Sequence, residues 1–474
     1  MASRARHLWK RLNGEGVGAV ILRGSSVSFM VTVTGTALGM LITFALARIL
    51  GVEAFGQYSV ALGWAMLLVM PMLFGMDFTV LRFAPVYFAQ DDRRALGGLL
   101  GFALCAVALL SIVALVALTL THRLAPAALG IGGEGAGVLI AALAAVTALV
   151  ALLSSVFRAA KSIFASQVYR QAVRPVLFGL ALLAIVVFGR GAQAPDMSAL
   201  DASVLDASAL DASVLDARTA FALMLGAAAL ALVALVVHLR RFLSGRGQFP
   251  EWARAPRVQR REWLGLAGPA FLSASLRQVL VQGGTVALGI FALTAEAGQF
   301  AVALRLATLV TFVLSALDSI TAPMIVEANH KNDPAELQRI ATFNARIATV
   351  AAGSLGLGLA LSSPWLLPLF GEGFIDAQPA LIILCAGNVF VAVTGSSGMM
   401  LIMSNRQNML LLTSVLGVIV FVLVFVITPT GERSAITAGL SFALAVMASK
   451  GLQAVLCWKY LKVNPLPIAF TRAS

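Results

Sequence analysis

Charge is what this 474-residue chain has least of. Asp, Glu, Lys and Arg together make up 12% of it, 60% is hydrophobic, and mean hydropathy is +0.93. A water-soluble core cannot absorb that much apolar surface, so a soluble multidomain enzyme is excluded. Cysteine is nearly absent: Cys105, Cys385 and Cys457 all fall in apolar stretches, which suits small-residue packing and rules out a disulfide framework. No apolar stretch groups His, Cys, Asp and Glu at metal-ligand spacing, and neither GxxxxGK[ST] nor GxSxG occurs. We therefore expect no metal, no cofactor, no ATP hydrolysis by this chain alone and no enzymatic activity.

What is present is a succession of apolar segments, each long enough to cross ~30 Å of hydrocarbon with roughly 20 helical residues. Twelve are predicted, near 24–47, 58–81, 96–120, 136–157, 171–188, 219–238, 264–291, 299–323, 341–362, 379–403, 408–428 and 435–458. The basic start carries Arg4, Arg6, Lys10, Arg11 and Arg23 but has no small-residue cleavage site after a short apolar core, so a cleaved signal peptide is not expected. In span 1, Ser28, Thr32, Thr36, Gly39 and Thr43 recur along one face, a stripe that fits close helix packing and a cavity wall alike.

The formal charge is +13, and its distribution matters more than its size. With both termini cytoplasmic, twenty-seven of the 34 lysines and arginines fall on cytoplasmic loops or span ends, five outside and two within spans. Arg240, Arg241, Arg246, Arg254, Arg257, Arg260 and Arg261 form the most basic loop, between spans 6 and 7. It reads as a topological anchor facing an anionic leaflet, with no nucleic-acid partner. Three regions follow: a six-helix lobe over 1–239, a basic cytoplasmic linker over 240–262, and a second six-helix lobe over 263–474. Between 195 and 217 a five-residue period sets Asp196, Asp201, Asp206, Asp211 and Asp216 in register, which matches neither helix nor strand amphipathicity. That segment reads as a solvated acidic outer loop without function.

A second periodicity spans half the chain. The nine residues from Glu53, EAFGQYSVA, return from Glu296 as EAGQFAVAL, with Gln57 matched by Gln299 at an offset of 242, and in each copy an apolar run, an Asp and a polar loop follow. The chain reads as a doubled membrane unit, an all-α polytopic protein with two pseudo-repeated six-helix lobes around a central cavity. The copies differ in charge, since Gly63 of the first is matched by Arg305 of the second.

A charge at mid-bilayer costs ~2.5–3.5 kcal/mol on insertion scales and is retained for function or pairing. Arg277, near the middle of span 7, and Arg305, on span 8, meet that description, with Gln278 and Gln282 beside the first. Their guanidiniums suit an anionic headgroup, because the planar fork matches phosphate oxygens. Structural pairing with a carboxylate is the competing reading. It is not an Arg305–Asp318 contact, because thirteen helical residues separate the two by ~20 Å. Thr308, Thr311, Ser315 and Asp318 continue the Arg305 face at spacings of three or four. Asp77 and Asp318 sit near the cytoplasmic ends of equivalent spans, and Asp77 could pair with Arg82. These three residues are candidates for gating or ion coupling, with Asn388 and Trp64 weaker candidates for the cavity.

LARILGVEAFGQYSVAL, GMDFTVLRFAPVYFAQDD, TAEAGQFAVALRLATLV with TAPMIVEANHKNDPAELQ, and PLFGEGFIDAQPALIIL resemble segments of the Wzx-type O-antigen and exopolysaccharide flippases. These form the polysaccharide-transporter branch of the multidrug/oligosaccharidyl-lipid/polysaccharide flippase superfamily. The resemblance covers nearly the whole chain through loose patterns of glycine, aromatic and small residues, and the acidic repeat departs from it. It implies two six-helix lobes alternating between inward- and outward-open states in the bacterial cytoplasmic membrane. It also implies a cargo of undecaprenyl-pyrophosphate-linked oligosaccharide moved to the periplasmic leaflet, and, besides membrane lipids, partners in polysaccharide polymerase and chain-length machinery. Arg277 and Arg305 are read from depth, not from the resemblance. A multidrug cation antiporter of the same fold, which would place carboxylates in the cavity, and a lipid II flippase are the alternatives.

Overall fold

The computed structural model describes residues 17–124, 129–131, 135–191, 215–252, 257–330, 333–404 and 406–467. The basic stretch before residue 17, the repeat aspartates from Asp196 to Asp211, and Arg254 lie outside them. Among the described residues the chain is helical throughout, as a backbone crossing lipid must be to satisfy its own amides and carbonyls. Among the described residues eleven helices are long and apolar enough to cross a membrane, and the chain is a multi-pass membrane protein.

The first helix, α1 (Val17–Leu73), is two spans in one. Its apolar part is 44 residues long, about twice what one crossing needs, and the helix breaks at Gly51, where φ is 72° and ψ 175°. Counting it twice restores the twelve predicted crossings. Next come α2 (Met76–Ala89), α3 (Arg93–Leu124) and α4 (Ala136–Ala159). Span 5 is built from α5 (Ile163–Gln167), a π turn (Val168–Ala172) and α6 (Val173–Gly191). It therefore starts several residues before the predicted 171. Span 6 is α7 (Ala217–Gly245).

The second half repeats the pattern with α8 (Arg257–Ile290), then α9 (Thr294–Ala307) and α10 (Phe312–His330), separated by a 3-10 turn at Thr308–Thr311. It ends with α11 (Pro334–Leu366), α12 (Gln378–Val393), α13 (Ser397–Met403), α14 (Gln407–Ile427) and α15 (Ala435–Leu461).

Two details bear on the predicted regions. Asp216, last of the repeat aspartates, is no free loop residue. Its Oδ1 accepts from the Thr219 amide at 2.7 Å while its own amide donates to Thr219 Oγ1, a capping box that starts α7. Leu215 before it and Ala220 after it are both buried, as a hydrophobic staple requires. The segment after α7 also packs rather than simply linking. Glu251 donates its amide to the Arg93 carbonyl at 3.1 Å, and Trp263, fully buried in α8, donates to Tyr87 Oη at 3.3 Å and packs on Phe102. The start of the second lobe is thus seated on the first.

The lobes meet most closely at the end that carries Glu53, Glu296 and Glu372. Phe44 packs edge-on against Phe370 with ring centroids 5.2 Å apart, Phe55 against Phe374 at 5.9 Å, and Arg48 donates to the Leu369 carbonyl. Glycines let the backbones cross there: a Cβ on Gly56 would collide with the Thr294 carbonyl, and one on Gly373 would lie 2.8 Å from Val52. In a membrane, helix contact depends on such close van der Waals approach because lipid is as apolar as the side chains.

Candidate functional site

Two cavities lie along the boundary between the lobes. The larger, about 410 Å³, is walled by α1, α2, α4, span 5, α7 and α8, and its polar lining comprises Asp77, Thr147, Arg158, Tyr169, Arg170, Arg174, Arg277 and Gln278. The smaller, about 260 Å³, lies toward the acidic end between α1, α6, α8 and α9. Its polar lining includes Thr43, Tyr58, Ser59, Gln282, Thr285, Arg305 and Thr308, and Arg174 again. Arg174 borders both. Five arginines therefore run from the α4–α5 corner to the last turn of α9: Arg158 and Arg170, then Arg277 and Arg174, then Arg305.

Local structure explains how they reach the wall. Arg158 ends α4, and the chain reverses through Lys161, whose φ of 63° makes the corner. Arg170 lies within the π turn, which shifts the helical register between α5 and α6 and leads into Arg174, one residue before Pro175. Buried Nε atoms of Arg158 and Arg174 have no hydrogen-bond partner. A buried guanidinium without an acceptor is costly unless an anion is supplied, since each unmade charged hydrogen bond forfeits the full desolvation of its donor.

Arg305 owes its position to glycine. A Cβ on Gly39 of α1 would collide with Arg305 Nη2, so the glycine leaves the room in which the guanidinium lies in the smaller cavity, and a side chain there would push its end aside. Of the span 1 stripe, Gly39 and Thr43 line the cavity; Gly35, which the stripe did not include, packs on the Gln171 backbone, its would-be Cβ 2.8 Å from that carbonyl.

The predicted site residues divide accordingly. Arg277 and Gln278 line the larger cavity and Arg305 and Gln282 the smaller, so the two arginines share a path but not a pocket. Asp77 faces the larger cavity, with Arg170 and then Arg158 as its nearest opposite charges. Arg82, its expected partner, is exposed and lines neither cavity, because α2 begins afresh after Gly75 and turns that face outward. Asp318 lines neither cavity: it lies inside the second lobe, near Ser396 and with Lys450 as the opposite charge in range, and its buried Oδ1 has no hydrogen-bond partner. Asn344, fully buried, donates to both Thr321 and Ser396 beside it.

The polar face expected to run from Arg305 to Asp318 is not continuous. The 3-10 turn interrupts it, and Thr308, Thr311 and Ser315 spend their hydroxyls on backbone carbonyls three or four residues back. Asn388 donates to the Ala307 carbonyl at 2.8 Å and so caps the end of α9, and Trp64 lines neither cavity. Arg158, Arg170 and Arg174 are the residues the sequence reading passed over; all three stand at span ends, where the positive-inside pattern already accounts for a basic side chain.

Against known proteins, residues 21–203 match the model of the family described as "Polysaccharide biosynthesis protein". No curated protein matches the chain. Among solved structures the chain is similar to the inward-facing conformation of a multidrug resistance MATE family transporter of the MOP superfamily. The TM-score is 0.60 with 14% identity, over 95% of this chain and 96% of that one. It is also similar to the Vibrio cholerae MATE transporter VcmN in the bent form, with TM-score 0.58, 15% identity, and 93% and 98% coverage. The outward-facing conformation of a multidrug resistance MATE family transporter gives 0.57, 14%, and 95% and 98%. The fold is similar to that of these MATE transporters, and residues 21–203 match the model described as "Polysaccharide biosynthesis protein".

Proposed function

We propose that this transporter is a flippase for undecaprenyl-pyrophosphate-linked oligosaccharide in the bacterial cytoplasmic membrane, with both termini cytoplasmic, serving surface or exopolysaccharide synthesis. The observation that carries the reading is the larger cavity's lining of four arginines against one carboxylate, two of those arginines holding buried, unpartnered Nε donors. A diphosphate supplies the acceptors they lack, while the lipid tail can stay in the bilayer and the sugar in the cavity. The family match in the first lobe supports a polysaccharide-related cargo.

In this reading Arg158 and Arg170 meet the headgroup at the cytoplasmic mouth, Arg277 and Arg174 hold it at mid-depth, and Arg305 receives it as the lobes rock. Alternating access in a duplicated architecture supplies the motion. A cavity for cationic drugs, as the MATE-like fold would suggest, calls for carboxylates where this one presents guanidiniums. The test is complementation of a strain lacking its flippase. Arg174→Gln and Arg277→Ala should each abolish surface polysaccharide while the protein remains in the membrane, and normal polymer from both would overturn the headgroup role.

A further inference from the structure

Among the described residues Asp77 is the sole acid lining the larger cavity. Phe74 and Gly75 both take positive φ, 45° and 71°, which ends α1 and starts the fourteen-residue α2 within the cavity wall. A Cβ on Gly75 would strike the Ala267 carbonyl of α8, so the break is held against the second lobe. The Asp77 carboxylate stands in the first turn of α2, beside its own amide and that of Phe78. Free amides at a helix start, carrying the positive end of the helix dipole, are where phosphates bind. Arg170 and Arg158 face the same carboxylate, and among the described residues no ion pair of 4.0 Å or less ties it to either.

The cavity therefore brings together the groups a phosphate would use, and a charge of the same sign stands among them on a short tether. We infer that Asp77 is a built-in competitor of the cargo's diphosphate for the α2 N-terminus and for Arg158 and Arg170, and that this competition sets how readily the cargo leaves. The inference rests on the headgroup reading. Four arginines with no opposing charge would hold a diphosphate equally well at every stage of the cycle, and binding that is uniform along the path slows the passage. A tethered carboxylate is present at high effective concentration and retakes the seat as each phosphate contact breaks.

The experiment uses the full chain in lipid nanodiscs, with farnesyl diphosphate as the probe, alongside polysaccharide export in a flippase-deletion strain. Asp77→Asn removes the charge at constant shape, and Asp77→Ser keeps a helix-capping oxygen should the amide fail to fold. Both should bind the probe about tenfold more tightly than wild type and export less polymer at equal protein level. Binding equal to or weaker than wild type, with wild type itself binding, overturns the competitor role and leaves the headgroup reading intact. If neither wild type nor variant binds the diphosphate while both are folded, the headgroup reading falls and the inference with it. Arg174→Gln separates the two further, since it should weaken the probe in wild-type and Asp77→Asn backgrounds alike.

Discussion

Gly56 and Gly298, exactly equivalent under the 242-residue offset of the internal repeat, touch each other across the lobe boundary: a Cβ on Gly298 would lie 3.1 Å from Gly56 Cα, and one on Gly56 3.0 Å from the Gly298 amide nitrogen. Equivalent residues meet only on a pseudo-two-fold axis, so this pair marks where the doubled unit folds onto itself.

Opening that end requires the two glycines to part. Gly298→Val should wedge them and shift the population toward the state open at the acidic end, without unfolding either lobe. Phe44→Cys paired with Phe370→Cys, in a background lacking the native cysteines, reports the closure. We expect efficient cross-linking by a short bifunctional thiol reagent in the parent and a severalfold loss in Gly298→Val, and unchanged cross-linking would refute the gate.

Gly39 is predicted to act on export through Arg305. Because the guanidinium end can move, Gly39→Ala should cost little stability, about 1 kcal/mol, within the usual range for overpacking. Gly39→Leu should fill the seat. Export should fall in that order, and Arg305→Ala combined with Gly39→Leu should be no worse than Arg305→Ala alone. Additive losses in the double variant would show that Gly39 acts by some other contact.

Lys450 and Asp318 are opposite charges within electrostatic range of each other in the second lobe, near Asn344, Ser396 and Thr321. Removing one charge leaves the other uncompensated, so Lys450→Met should destabilise by roughly 3 kcal/mol, near the lower end for a broken buried pair. Lys450→Met with Asp318→Asn should recover most of it, as coupled neighbours do. Thermal unfolding in detergent measures both, and equal destabilisation by single and double variants would rule out the pairing.

The acidic repeat separates into a dispensable part and a cap. Deleting residues 196–214 should leave export and stability unchanged, whereas Asp216→Ala should cost about 1 kcal/mol as a lost N-cap. The Thr219 hydroxyl, then the Thr219 amide, holds the Asp216 carboxyl below its ordinary range. The cap therefore contributes fully above the unfolded value of ~3.9 and fades as pH falls through the lower folded one. The wild-type advantage over Asp216→Ala, followed by unfolding from pH 7 downward, should shrink in that window, and a difference independent of pH would contradict an ionised cap.

Length and hydropathy made the twelve crossings legible, and the repeat announced the lobe symmetry. The depth of Arg277 and Arg305 was legible too, because a charge deep in an apolar run has few explanations. Arg170 and Arg174 were not, because the predicted span began near 171 and placed them at its edge. The helix begins instead at Ile163 and absorbs the mismatch in a π turn, which no apolar period encodes. Asp77 was found for its charge but misjudged in its partner, since the break at Phe74 and Gly75 turns α2 and leaves Arg82 outside.

The single-residue break at Gly51 leaves the first two crossings with no connecting loop. Whatever displaces the outer end of one must displace the other, so the first lobe turns at that corner as one lever. Added length would uncouple the pair: a short flexible insertion after Gly51 should let each crossing move alone, at the expense of the shared stroke on which transport depends.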